Sequence, residues 1–284
     1  FAGAIGALAL PPFSVVAALC VSFTLLVWLL VGGCLSLRTG PINPIGRPAA
    51  LPASPSAANA SHTWVLEAQG LIGQPSKAPA AHASHLVALP DHPAYALAAF
   101  WFAGSKEARP DVRIAMSLWS RQQQTWTAPV WVVDRHSAAA VLGKGLLHLG
   151  NPVAWVDQQQ RLHVFVVGTG LGGWAAARVL HLRQTSASSS SAAAPAFDVV
   201  GQLPLGWLWN LSHLVRHAPL PLADGGMVLP LHFELGGHYP VFAWFSPDGE
   251  FQGLRRLTDV GQSLQPAPVA VDAPLGDRLC MGYA

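Results

Sequence analysis

Leu162-His163-Val164-Phe165-Val166-Val167-Gly168-Thr169-Gly170-Leu171-Gly172-Gly173-Trp174 admits two readings, and they lead to different folds. Residues 168–173 satisfy G-x-G-x-x-G after a β-rich run, the pattern that lets a pyrophosphate approach a helix N-terminus. That reading needs a helix over Trp174 to Leu182, then an acidic residue after a second strand, about 20 residues on. The region instead runs into a Ser/Ala tract, Thr185 to Pro195, and no acid occurs before Asp198. No β-α-β alternation surrounds it. The stretch therefore reads as a strand, a glycine turn, and a second strand starting at Trp174. A match to G-x-G-x-x-G without its context is weak.

Working outward, the same texture recurs. His85 to Phe102 reads as two strands about Pro90-Asp91-His92-Pro93, and Arg113 to Trp119 with Trp126 to Val133 as two strands about Ser120 to Gln124. Val153 to Val167 turns at Asp157 to Gln160, and Leu220 to Phe233 at Asp224-Gly225-Gly226. Val241 to Leu257 turns at Pro247-Asp248-Gly249, and Pro268 to Met281 near Asp272 to Asp277. Turn residues between β-rich runs are the hairpin signature. An apolar run, an aspartate, a turn and an apolar strand recur at Asp91, Asp157, Asp224 and Asp272, spaced by 66, 67 and 48 residues. Four-stranded propeller blades run about 40–50 residues and lengthen through loop insertions. The Ser/Ala tract is one such insertion, expected as a mobile loop tip. A β-sandwich would give the same hairpins; the repeat favours a propeller.

Composition agrees. The 284 residues include 27 Gly, 24 Pro and 11 Trp, which suits a turn-rich all-β chain. A net charge of +2 without a basic cluster argues against nucleic acid as a partner. Cys20, Cys34 and Cys280 are far apart and lack metal-ligand spacing, so neither a disulfide framework nor a thiolate metal site is expected.

The N-terminal part differs. Phe13 to Leu35 is about 23 residues without a charge, long enough to span a bilayer as a helix. Residues 1–38 are expected to be a membrane anchor and 39–62 a flexible Pro/Ala/Ser-rich linker. Residues 63–284 are expected to be the β domain, placed outside the cytoplasm, in a bacterial periplasm or at the cell surface. Secretion after signal cleavage is the alternative. The chain begins at Phe1 and ends in what reads as the middle of a strand, so it is expected to be a fragment lacking C-terminal blades.

Several short runs carry a resemblance. Ala81-His82-Ala83-Ser84 with Leu86 to Asp91, Ala99 to Glu107, and Pro110-Asp111-Val112-Arg113-Ile114 are three of them. Gly150-Asn151-Pro152-Val153, Leu171-Gly172-Gly173-Trp174, and Leu222 to Gly226 followed by Leu229-Pro230 and Glu234 are the others. Together, over about His82 to Arg278, they resemble the sialidase (neuraminidase) superfamily, in particular bacterial exo-sialidase-like proteins with BNR-type repeats. The resemblance implies an all-β, six-bladed propeller, incomplete in this fragment, that removes terminal sialic acid from glycans. It implies a retaining mechanism with an Asp acid/base, a Tyr–Glu nucleophile pair and an arginine clamp on the sugar carboxylate. A neutral phenol avoids the repulsion a carboxylate nucleophile would meet from an anionic sugar, which makes sialidases the tyrosine exception among glycosidases. The family's Asp-box survives here only as Thr125-Trp126, with Arg121 and Gln123 at its Asp and Gly positions.

The catalytic candidates are Asp111, Glu107 and Glu234. Asp111, or else Glu107, suits acid/base work, and both also fit a solvated loop pair with Lys106 and Arg109. Glu234, at the end of an apolar strand, suits activation of a tyrosine or orientation of an arginine; an ordinary strand end is the alternative. Arg216, in the apolar run Leu214 to Pro219, suits a substrate carboxylate or a structural salt bridge. His82, Asn151 and Asn210 suit sugar hydroxyls and Trp174 a sugar face, unless they are core and turn residues. His213, His217 and His232 lack a metal-binding pattern, so no metal and no cofactor is expected. The second functional reading is a non-catalytic propeller that binds glycan or protein with the same surface.

Overall fold

Strand β7, Leu162–Gly170, is buried at every position, so it cannot show the half-polar alternation of a surface strand. Its two faces belong to different cores. Leu162, Val164 and Val166 pack with Phe100, Ile114 and Met116, whereas Phe165 and Val167 pack with Met227, Leu229 and Leu231. The sheet containing β7 therefore lies between two others, and the apolar run at 162–167 is the sequence record of that position.

The computed structural model describes residues 70–76, 78–185, 194–206, 210–235, 237–258, 264–271 and 278–282. The chain divides into Phe1–Leu37 and Arg38–Ala284, and the described residues belong to the second unit. The expected anchor, the linker and most of the Ser/Ala tract lie outside them. Among the described residues no helix is long and apolar enough to cross a membrane.

The first sheet holds β1 (Ala80–Ala88), β2 (Tyr95–Gly104), β3 (Arg113–Ser120), β4 (Thr125–Trp126) and β5 (Val130–Val133), with β4 and β5 both paired to β3. One strand was expected over Trp126 to Val133; the chain instead leaves the ladder around Pro129, which has no N–H to donate. The second sheet runs β6 (His148–Val156), β7, β8 (Gly173–Gln184), β9 (Phe197–Gln202). In the third, β10 (His213–Val215) and β11 (Leu220–Pro221) pair with β12 (Met227–Phe233), followed by β13 (Tyr239–Phe245) and β14 (Phe251–Arg256). β15 (Ala267–Val271) pairs with β16 (Arg278–Gly282). All pairings are antiparallel. Antiparallel sheets that follow one another in chain order and pack face to face are the arrangement of successive propeller blades.

The aspartate repeat marks this order. Asp91 and Asp157 each sit in the turn that joins the first strand of a sheet to the second, and Asp224 in the turn that joins β11 to β12; Asp272 lies outside the described residues. Gly170 pairs with Gly173 across the turn, and β8 begins there as a strand rather than a helix. Gly172 and Gly173 have φ of 101° and 60°, which glycine adopts without strain. Arg121, at the lost Asp-box position, donates from Nε to His92 O and Tyr95 O, both at 3.1 Å. Its Nη2 donates to Leu89 O at 2.8 Å and Pro90 O at 3.0 Å. A guanidinium thus ties the β3–β4 turn to the β1–β2 loop.

One helix was not anticipated. α1 (Arg135–Leu142) is capped by Asp134, whose side chain accepts from His136 N at 2.8 Å and Ser137 N at 2.9 Å, and it ends at Gly143 with φ of 61°. Its one fully buried residue is Ala138, so it carries almost no apolar periodicity.

A buried polar chain fastens the second sheet. Asp157 can only accept, so His163 Nε2 donates to its Oδ2 at 3.0 Å. His163 Nδ1 shares a hydrogen bond with His181 Nε2 at 2.8 Å. Arg161 reaches Asp157 Oδ2 at 2.7 Å and Asp248 O at 3.1 Å, linking the sheet to the β13–β14 turn. Burial by itself raises the Asp157 carboxyl, but hydrogen bonds from His163 and Arg161 outweigh it and hold it below its usual range. Burial, helped by His163 and Arg183, pushes His181 down to about 3. Burial also brings His213 down to about 4, against the raising effect of its bond to Leu211 O.

Two outcomes are expected. Gly249 has φ of 77°, and a Cβ there would overlap the His163 ring; Gly249→Ala should lower unfolding free energy by at least about 2 kcal/mol, measured by urea titration. His181 and His213 have folded pKa values below the unfolded one, so between about pH 6.5 and 4 the unfolded chain binds more protons. Stability is then full above that window and falls through it by on the order of a few kcal/mol. Urea midpoints that stay constant from pH 7 to 4 would contradict this.

Candidate functional site

In an antiparallel sheet the turn from first to second strand and the turn from second to third lie at opposite ends. The aspartate turns occupy one end, where Leu89, Asp91, His92, Gln159 and Leu162 line a cavity of about 280 Å³. The β2–β3, β7–β8 and β12–β13 connections occupy the other. There a cavity of about 320 Å³ is lined by His82, Glu107, Asn151, Trp174, Arg216 and Glu234, with Phe102, Leu214, His232 and Gln265 among its walls. Six of the eight nominated residues thus meet in one place although they span 153 positions of the chain, His82 to Glu234.

Bulges aim two of them. The register of β1 shifts between His82 and His85, and that of β6 between Gly150 and Val153. Ala83 and Asn151 sit at these shifts with φ of 52° and 44°, and Asn tolerates that region better than most residues. Bulges re-aim side chains beside functional sites. The His82 ring stacks on Phe102 with centroids 5.4 Å apart. A Cβ at Gly150 would lie 3.2 Å from Trp174 Cη2 and 3.8 Å from the Phe102 ring, so the missing side chain lets the indole lie against β6. His85 Nε2 donates to Ala154 O at 3.1 Å and joins β1 to β6 below the cavity.

The other wall is charged. Arg216 follows β10 and is exposed; among the described residues no carboxylate forms an ion pair with it. Glu234 follows β12, and its Oε1 accepts from His232 Nε2 at 3.1 Å. Burial lowers the His232 pKa despite the opposing charge and hydrogen bond of Glu234. The neutral ring therefore presents its Nε2 hydrogen to the carboxylate. Glu234 N donates to Ser212 O at 3.1 Å, which fixes the backbone under the carboxylate.

Two nominated residues stand apart from the lining. Asp111 shares the β2–β3 loop with Glu107, but its Oδ2 accepts from Ser105 N and its Oδ1 from Ser105 Oγ, both at 2.9 Å. Those bonds hold its pKa below the usual carboxylate range. Asn210 braces its own loop, accepting from Gly206 N at 2.8 Å through Oδ1 and from Gln202 Nε2 at 3.2 Å through its carbonyl. His213, weighed above as a ligand, is buried with Nδ1 donating to Leu211 O at 2.9 Å.

Sequence reasoning missed Phe102, Gln265 and the link from His232 to Glu234. The last was readable in principle, because residues two apart on a strand face the same way. Phe102 looked like core, and Gln265 lies in a segment without pattern.

The model of the BNR repeat-like domain matches residues 95–275. The chain belongs to this family. The matched residues hold strands β2 to β15 and the turns at Asp157 and Asp224. Similar solved structures include a protein of unknown function from Dyadobacter fermentans DSM 18053, 11% identical, covering 75% of this chain and 67% of that one, with a TM-score of 0.49. Another is the α-L-arabinanase of Cellvibrio cellulosa complexed with arabinohexaose, 12% identical, covering 72% and 68%, with a TM-score of 0.41. No curated protein matches.

For the BNR repeat-like domain, Asp111→Ala is expected to free the β2–β3 loop without moving the global unfolding transition, because the carboxylate is exposed. Amide exchange at Ser105, followed by mass spectrometry, should quicken while the melting temperature holds.

Proposed function

We propose that this protein is a sialidase-like glycoside hydrolase that takes a terminal, carboxylate-bearing sugar into the cavity at the β2–β3, β7–β8 and β12–β13 connections. The carrying observation is Arg216: an exposed guanidinium in that cavity, with no carboxylate partner among the described residues. A planar guanidinium grips a carboxylate through two parallel hydrogen bonds. Trp174 offers a sugar face, and His82 and Asn151 offer hydrogen bonds to hydroxyls. Asp111 or Glu107, on one loop, supplies the acid/base. Glu234, oriented by His232, activates a tyrosine or positions an arginine, and the mechanism is retaining. In this reading the domain is a six-bladed propeller held outside the cytoplasm by the apolar segment at 13–35.

A second reading, glycan binding without turnover, is favoured by one observation: no tyrosine is among the described residues lining the cavity. The two are separated with the complete protein, using release of 4-methylumbelliferone from its sialic acid conjugate and calorimetry with sialyllactose. Under the hydrolase reading Arg216→Ala lowers kcat/KM about 100-fold or more, the loss of a charge-assisted bidentate contact. Asp111→Ala or Glu107→Gln removes the alkaline limb of the pH profile, where the acid loses its proton. Sialyllactose binding that depends on Arg216, with no release, selects the second reading. Neither release nor binding would sink both.

A further inference from the structure

The connection from α1 to β6, Gly143-Lys144-Gly145-Leu146, lies near two arginines of different elements. Arg135, the first residue of α1, donates from Nη1 to Leu146 O at 3.3 Å. Arg178 is the register partner of Gly168 in the β7–β8 ladder. A Cβ at Gly170 would lie 3.2 Å from Arg178 Nη1 and 3.7 Å from Gly145 O. Arg135 thus holds the end of this connection, and Arg178 and Gly145 both approach Gly170. Both Nε atoms are buried and have no hydrogen-bond partner among the described residues. No carboxylate among those residues pairs with either arginine.

Lys144 adds a third cation at the same connection; it is exposed, with Nζ 3.5 Å from Gln202 Oε1. No acidic residue occurs from 135 to 156 or from 173 to 184. Asp134, the nearest in sequence, spends its Oδ1 on His136 N and Ser137 N as the helix cap. A Cβ at Gly143 or Gly145 would meet nothing within 4 Å, so space is open beside the connection. Buried unpaired donors are costly, and clustered cations without a counter-charge repel one another. An oxyanion beside the connection would accept from the guanidinium Nη groups and offset the local positive charge.

We propose that Arg135, Arg178 and Lys144 form an oxyanion-binding site, separate from the cavity that holds Arg216. None of the three lines that cavity. The oxyanion is either a free inorganic anion or the acidic group of a sugar chain, and the site does not depend on the hydrolase reading.

The test is calorimetry and thermal unfolding of the complete protein at constant ionic strength, with sodium sulfate against sodium chloride, and separately with a heparin hexasaccharide. Sulfate is expected to bind and to raise the melting temperature above that in chloride. Arg178→Gln and Arg135→Gln should each weaken it about tenfold, as loss of a charge-assisted contact does. Lys144→Gln, at an exposed position where folding is not at stake, should weaken it about threefold, in line with a single solvated charge. The Arg216→Ala variant should bind sulfate at this site as the parent does. Tighter binding of the hexasaccharide, lost in the same variants, identifies a sugar chain as the source; binding of sulfate alone identifies a free anion. Equal melting temperatures in sulfate and chloride, with no heat from either ligand, overturn the site, as does binding unchanged in all three variants.

Discussion

The middle position of the second sheet is the constraint on which the rest of the structure depends. Each of its neighbours buries a face against it, through β7 above all. A strand apolar on both sides has a weakly specified register, because a slip by one residue exchanges one apolar face for another. The polar exception, His163, removes that freedom. Its ring is buried against Asp157 and His181, and a slip would leave all three unpaired in the core. Hydrophobic burial thus supplies the strength of the stack, and one hydrogen-bonded chain supplies its alignment.

Alignment of the sheets is what makes a site possible. Residues as distant in sequence as His82 and Glu234 meet because each lies at the same end of its own sheet. The inner strands β1 and β6 are adjacent and both break register at that end, which turns His82 and Asn151 into positions regular strands would not give them. With charged residues at only 11% of the chain, it matters where they gather. Arg216, Glu107 and Glu234 gather at the cavity, whereas Arg135, Lys144 and Arg178 do not line it.

The two carboxylates nominated from one loop show how far sequence carries. Glu107 and Asp111 both stand beside basic neighbours in the sequence, and the sequence reading favours Asp111 as the acid/base. In the structure Glu107 lines the cavity, whereas Asp111 is engaged by Ser105 on both oxygens. That difference arises from how the loop folds over four residues, which no spacing rule encodes. Asn210 is similar: its side chain closes a local loop onto Gly206, a role its residue type allowed but did not announce.

The sequence by itself determined the all-β class, the hairpins and their aspartate period. It also determined that the glycine run 168–173 is a turn between strands. These are local properties, carried by side-chain alternation, turn residues and the absence of an acid where a nucleotide site needs one. Even so, α1 escaped, because a short helix with one buried residue leaves no periodic trace. Tertiary structure alone decided which nominated residues share a cavity. It also decided that His232 orients Glu234 and that Arg135 and Arg178 have no carboxylate partner among the described residues. Those facts depend on the stacking of three sheets and on distances across them, and an interaction between residues far apart in the chain has no local signature to read.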